Sequence, residues 1–342
     1  FLFKTLCGIT VTVLPFSIII IPQFQTLSIA NFPHSTQKIT PLHIINCTDF
    51  KGEWAMGTSK IAICGGDVRS LYMGELFKNK GYDVCVCLTD KAESEKHGLE
   101  FERPETALKC ADVVIMGLPA VNSQMTVNAP MCADKMNYGE LLHSLKDGCI
   151  LCGGRFGAQA VLDAADCGFE VFDYSADEVF QIENAFYTAE GAIEAIIKNT
   201  VRSLGELSVF VTGFGRISRA LTEFLSAMGS SVTVYARKAE QRAWAKRVPC
   251  DVTDEISDLS AYDVIVNTVP FCLLGADKLQ TVGKDALVVD LSARPGYVSS
   301  EDCKRLGINL AFLPGLPSVS APCSAGEAAG RAVMRRIKGD GV

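Results

Sequence analysis

From Lys60 onward, short apolar runs alternate with stretches of helical periodicity. Ile61–Cys64 reads as a buried strand, Gly65-Gly66 as a turn, and Ser70–Lys80 as a helix ended by Gly81. Asp83–Leu88 and Asp112–Leu118 read as further strands, Tyr138–Leu145 as a helix, Cys149–Cys152 and Phe169–Tyr174 as strands. The runs are apolar at consecutive positions, which is the pattern of strands covered on both faces of a parallel sheet. Residues 188–204 then carry Ile193, Ile196, Ile197 and Leu204 at helical spacing, with Thr188 placed to cap the helix and Gly205 to stop it. A second alternation follows: strand Ser208–Thr212, turn Gly213–Arg216, helix Ile217–Met228, then strands Val232–Tyr235, Asp263–Thr268, Ala286–Leu291 and Leu310–Leu313. Ala325–Ile337 predicts a last amphipathic helix, whose Arg331, Arg335, Arg336 and Lys338 read as a solvated face near the helix C-terminus.

The predicted fold class is therefore α/β, with two doubly wound parallel-sheet domains joined by a long helix. The expected boundaries are an extension at 1–55, a substrate domain at 56–187, a dinucleotide-binding domain at 188–324 and the terminal helix at 325–342. Residues 5–22 are mostly apolar, but Pro15 and Pro22 interrupt them, and the segment up to 55 reads as lying outside the fold rather than as an anchor.

Composition narrows the function classes. A net charge of −7 with no run of five like charges disfavours a nucleic-acid surface, and no membrane partner is expected. The 14 cysteines sit largely inside apolar runs, including Cys64, Cys85 and Cys87. They read as small hydrophobes in a reducing, cytoplasmic compartment. Cys149-Ile-Leu-Cys152 has redox or zinc spacing, but no second pair or histidine cluster accompanies it, so no metal is expected.

The segment Val209-Phe-Val-Thr-Gly213-Phe-Gly-Arg-Ile-Ser218 follows a strand and opens a helix. That context turns a weak Gly-x-Gly signal into a dinucleotide site: Gly213 for the tight turn, Gly215 for close approach of a pyrophosphate, and the helix N-terminus for its charge. Phe214, Arg216 and Ile217 complete the expected contact. The next strand ends Val234-Tyr-Ala-Arg237-Lys238 without an acid, and two cations there favour NADP, with NAD left open. Thr268, Val269 and Pro270, and the loop Asp290-Leu-Ser-Ala-Arg294-Pro-Gly296, follow strands and are expected to face the cofactor and the cleft.

Several segments together resemble the dipicolinate synthase A subunits of spore-forming bacteria. They are Ala62-Ile-Cys-Gly-Gly-Asp-Val-Arg69, Asn184 with Thr188-Ala-Glu-Gly191, Thr212-Gly-Phe-Gly-Arg216, Asn267-Thr-Val-Pro270, Asp290-Leu-Ser-Ala-Arg-Pro-Gly296 and Leu313-Pro-Gly-Leu-Pro317. They run in the family's order over about four-fifths of the chain. Departures are Tyr297 in place of a glycine after Pro-Gly, and Ser318 where the family's Leu-Pro-Gly has its glycine. The resemblance implies NADP-linked oxidation of dihydrodipicolinate to dipicolinate during sporulation, in the cytoplasm, beside a flavoprotein-like B subunit; a homo-oligomer stays open.

Such a dicarboxylate calls for cations, and Arg69 and Arg294 are the candidates, each equally readable as half of a structural ion pair. Asn184 and Thr188 are expected near the substrate. Arg155, in Gly153-Gly-Arg-Phe-Gly157, is a third cation, read first as structural. Glu190 is the first candidate for the base that removes the ring proton, Asp67 the second, with Asp290 a weaker choice that reads as a loop cap. Helix-dipole complementation explains Glu190 as well. Two other readings compete. A different two-domain NADP dehydrogenase, of shikimate or hydroxyacid type, needs a Lys–Asp or His–carboxylate pair, yet no histidine follows His143. A non-catalytic NADP-binding regulatory subunit needs only the cofactor turn.

Overall fold

The computed structural model describes residues 59–293 and 296–338, and the backbone of three strands upstream. Those strands, β1 (Lys4–Leu6), β2 (Ile9–Leu14) and β3 (Ser17–Pro22), form an antiparallel meander within a separate unit, Phe1–Phe50. The remainder of the expected extension to residue 55 lies outside the described residues, as does Arg294.

The second unit, Lys51–Val342, holds two parallel six-stranded sheets of identical topology. The first runs β6 (Glu100–Phe101), β5 (Asp83–Cys87), β4 (Lys60–Cys64), β7 (Val113–Met116), β8 (Ile150–Gly153) and β9 (Val171–Asp173) across the sheet. The second runs β12 (Asp251–Thr253), β11 (Ser231–Tyr235), β10 (Ser208–Thr212), β13 (Val264–Asn267), β14 (Leu287–Asp290) and β15 (Asn309–Phe312). In each the winding direction reverses beside the first strand, at β4/β7 and at β10/β13, and such a reversal opens a crevice at the carboxyl ends of the strands.

Strand periodicity explains why consecutive apolar residues were needed. Ile61 and Ile63 of β4 point into one core cluster, and Ala62 and Cys64 into the other. Val209 and Val211 of β10 likewise face away from Phe210. Both faces of the central strands of each sheet are dry. Cys149 and Cys152 are buried in these layers, and burial pushes the Cys149 thiol up to about 11 and the Cys152 thiol higher still. Thiols so protonated are inert packing groups. Among the described residues, every cysteine is unpaired, no three His, Cys, Asp or Glu side chains form a metal-binding group, and no helix is long and apolar enough to cross a membrane.

Two helices depart from expectation. The interdomain helix runs Glu178–Asn199, ten residues earlier than its predicted start at 188. Its cap is Asp177, whose carboxylate accepts the Phe180 N–H. Thr188 is no cap: it is buried mid-helix, where its hydroxyl donates to the Asn184 carbonyl at 2.7 Å. The terminal helix, Pro322–Lys338, crosses back to the first domain, where Ala328, Ala332 and Val333 share a core with Ile61, Met73 and Phe77. Close approach to the first-domain helix Val68–Asn79 requires glycine, since a Cβ at Gly326 would lie 2.3 Å from the Arg69 carbonyl oxygen. Its cations are not merely solvated. Arg331 reaches Glu183 at 3.0 Å, Arg335 reaches Asp177 at 2.6 Å, and Arg336 reaches Glu170 at 2.8 Å.

Candidate active site

The two switch points, although alike in topology, differ in what covers them. In the first domain, Gly66 donates to the Asn128 carbonyl at 2.7 Å, and a Cβ on Gly117 would sit 2.4 Å from Gly66 Cα. The helix that follows is capped by the Asp67 carboxylate, which accepts the Arg69 N–H. Backbone thus fills this turn, and a fixed negative charge holds the helix N-terminus where a phosphate would otherwise bind.

The second-domain turn is open. Gly213 adopts φ +83° and donates to the Tyr235 carbonyl at 2.7 Å; a Cβ there would lie 2.5 Å from Val269 Cγ1. Gly215 caps the helix Arg216–Ala227 without a side-chain acceptor, and a Cβ on it would meet nothing within 4 Å. The first-turn N–H groups and the positive end of the helix dipole therefore face free space beside a backbone that a pyrophosphate can approach. Ser218, in the third-glycine position, is buried and donates to the Gly213 carbonyl at 2.6 Å, bracing the turn from within. The Phe214 ring is packed in the core under the Arg219 guanidinium, 5.4 Å away, so only its backbone serves the turn. Arg216 is held by Glu178 of the interdomain helix, with Nε donating to Oε1 at 3.0 Å.

A buried polar chain ties the neighbouring strand ends to this turn. Thr212 donates to Asn267 Oδ1 at 2.8 Å, Asn267 Nδ2 donates to Asp290 Oδ1 at 2.9 Å, and Thr268 donates to the Thr212 carbonyl at 2.7 Å. Asp290 also accepts the N–H groups of Ser292, Tyr297 and Val298. Burial raises its pKa, but the donors from Ser292, Tyr297 and Asn267 outweigh it, and the carboxyl ends below the usual carboxylate range. A permanently ionised acceptor with this many donors is a loop anchor and not a proton acceptor. Only the Tyr297 N–H is used here, and the left-handed residue is Gly296 at φ +96°, so tyrosine is tolerated in place of glycine.

Between the domains lies a cavity of about 530 Å³. Gly213–Ile217 and Thr268–Pro270 line it from the second domain; Leu118, Arg155 and Ser175 of the first and Phe180, Gln181, Asn184 and Ala185 of the interdomain helix line it opposite. A second hollow of about 230 Å³ adjoins it past Gly213, bounded by Tyr235, Arg237, Lys238 and Gln241. Arg237 is exposed and Lys238 comes no closer than 3.9 Å to Glu240. No described carboxylate lines either hollow.

The expected cofactor residues Gly213, Phe214, Gly215, Arg216, Ile217, Arg237, Lys238, Thr268, Val269 and Pro270 are thus brought together, and Asn184 faces them. Four other candidates are placed differently. Glu190 is exposed in the middle of its helix, twelve residues beyond the Glu178 start, away from the cleft lining and away from the dipole that a first-turn position would have met. Asp67 and Arg69 clasp each other, Nε to Oδ1 at 2.8 Å and Nη2 to Oδ2 at 2.7 Å, and the guanidinium also donates to the Leu118 carbonyl. Thr188 is spent on its own helix. Ser175 and Gln181 were not singled out from sequence, and Arg155, set aside there, proves to line the cleft.

Residues 60–174 match the N-terminal domain of the dipicolinate synthase A subunit. Residues 181–303 match the NAD-binding domain of D-isomer specific 2-hydroxyacid dehydrogenases. The dipicolinate synthase A subunit of Bacillus subtilis (strain 168) is 25% identical over 274 residues, spanning 78% of this chain and 92% of the relative. The chain resembles the dipicolinate synthase A subunit across both domains. The crystal structure of that Bacillus subtilis protein superposes with a TM-score of 0.72 at 24% identity, covering 83% of this chain and 97% of its own. The dipicolinate synthase A subunit of Bacillus halodurans gives 0.74 at 21% identity, covering 82% and 98%. The second domain is a nicotinamide-nucleotide-binding domain of the dehydrogenase type.

Proposed function

We propose that this chain is the A subunit of a dipicolinate synthase, oxidising dihydrodipicolinate to dipicolinate with NADP in the cytoplasm of a sporulating cell, beside a flavoprotein-like B subunit. The observation that supports it most is the cleft itself, where the glycine turn Gly213–Gly215 of the second domain faces Arg155 of the first. A dinucleotide fits the residues present: open space at Gly215, an uncapped helix N-terminus, and Arg237 with Lys238 beside the hollow past Gly213. These two cations suit a 2′-phosphate, which a planar guanidinium can grip through two hydrogen bonds. When bound, the nicotinamide supplies the hydride acceptor.

The chain's own contribution is positioning. The substrate ring loses one hydride from carbon and one proton, and aromatisation makes that loss downhill. The proton released in that loss passes to solvent. The hydroxyacid-dehydrogenase reading is disfavoured because residues 144–342 hold no histidine. The test is to follow NADPH and dipicolinate together as dihydrodipicolinate is generated in situ, with NADP or NAD and with or without a B subunit. Joint appearance of NADPH and dipicolinate supports the reading. NADP binding with no turnover under any combination overturns it in favour of a regulatory role.

A further inference from the structure

Arg155 is held in a conformation that its own side chain makes costly. Its φ is +52°, a region that costs a non-glycine residue about 1 kcal/mol or more. The surroundings enforce it. The Arg155 N–H donates to Asp173 Oδ1 at 2.9 Å and meets Ser175 Oγ at 3.0 Å, while the Phe156 N–H donates to Asp173 Oδ2 at 3.1 Å. Asp173 is thereby committed to backbone and to Ser175, whose N–H and hydroxyl both donate to Oδ1. The guanidinium, by contrast, has no carboxylate within reach among the described residues, unlike Arg69 and Arg216. Across the same cavity, Asn184 Oδ1 is buried and accepts from no donor. An orphaned buried acceptor carries an uncompensated desolvation cost that a ligand N–H would relieve.

We propose that this cleft is a carboxylate subsite in which Arg155 holds one carboxylate of a small ring substrate and the Asn184 amide oxygen accepts from the ring nitrogen in its protonated, N–H-bearing form. The assignment deepens the synthase reading and rests on it for the ring and its second carboxylate, but not for the Arg155 anchor. Arginine occupies a turn that glycine would fit more easily, and it does so on the wall of the cleft, where a guanidinium offers five donors. Ser175 and Gln181 are already engaged, Ser175 with Asp173 and Gln181 through Nε2 to the Ser175 carbonyl at 2.8 Å, so they shape the wall and hold the turn.

The test uses the full chain saturated with NADP and calorimetric titration of pyridine-2,6-dicarboxylate, piperidine-2,6-dicarboxylate, benzene-1,3-dicarboxylate and malonate. The variants are Arg155→Gly, which relieves the backbone and is expected to fold at least as stably, Arg155→Lys and Asn184→Ala. The expected result is that R155G weakens every carboxylate by about 10–100-fold with NADP affinity unchanged, and that R155K recovers part of the loss. N184A should abolish the preference for the piperidine over the benzene ligand, worth about 3–10-fold. If the ring dicarboxylates bind R155G as tightly as the parent chain, the subsite is refuted while the synthase reading survives. If only malonate binds, in an Arg155-dependent manner, the anchor survives and the synthase reading falls. Absence of any carboxylate binding overturns both.

Discussion

Replacing each glycine of the nucleotide turn by alanine separates folding from binding. At Gly213 the backbone is left-handed, which costs an L-residue about 1–2 kcal/mol, and the new methyl would sit 2.5 Å from Val269 Cγ1. Overpacking of that kind adds about 1–3 kcal/mol. G213A should therefore lose about 2–5 kcal/mol and lower Tm by roughly 5–15 °C for domains of this size. Gly215 is the opposite case. Its φ of −85° suits any residue and its Cβ direction is empty. G215A should be neutral to about 1 kcal/mol more stable, because alanine has less unfolded-state freedom to lose. Yet its methyl occupies the space through which a pyrophosphate reaches the backbone, and affinity for NADP should fall about 10–100-fold. Thermal unfolding by circular dichroism and calorimetric titration of the nucleotide read the two effects independently. A G215A protein that keeps its NADP affinity would refute the placement of the pyrophosphate, and a G213A protein with unchanged Tm would refute the steric argument.

Arg237→Glu should raise KM for NADP about 10–100-fold and leave NAD nearly unaffected, measured as initial rates with each nucleotide; an unchanged ratio would move cofactor choice elsewhere. Asp290→Asn should destabilise the chain in urea, since the amide presents only one acceptor oxygen to donors now shared by two. Because the folded pKa of Asp290 is depressed, its contribution is complete above the unfolded value of about 3.9 and is lost as pH falls through the folded value. The parent chain should thus lose stability below about pH 4 more steeply than D290N. Arg335→Ala should cost about 1–2 kcal/mol after allowance for partial exposure, and should speed proteolytic removal of the terminal helix; equal cleavage rates would show that Arg335–Asp177 does not fasten it.

The sheet strands were legible because burial on both faces leaves no polar position, as in Ile61–Cys64 and residues 264–266. The edge strands Glu100–Phe101 and Asp251–Thr253 went unread, being two and three residues long and partly polar. Thr188 misled because threonine caps helices in general, whereas here a hydroxyl bonded back to Asn184 serves mid-helix; Asp177-Glu178 was the better signal. Val179, Ile182 and Phe186 stay exposed in that helix, which blurred its amphipathic phase before residue 188. The glycine turn at Gly213–Gly215 was legible since its geometry is set by adjacent residues. The partners of Arg331, Arg335 and Arg336 depend on which elements meet, and no local pattern specifies that, whereas the Arg69–Asp67 clasp spans only two residues.

The return of the terminal helix has a consequence for biosynthesis. Residues 208–312 contain every strand of the second sheet, so that domain can close while the ribosome is still adding the tail. The first domain emerges earlier but waits for Ala328, Ala332, Val333 and Ile337 to cover Ile61, Ile63 and Phe77. Until those last turns appear, an apolar face stays open to water. The domain made first is then the last to mature, and a released chain truncated near residue 320 would be a stronger client for a holdase chaperone than one that carries residues 322–338.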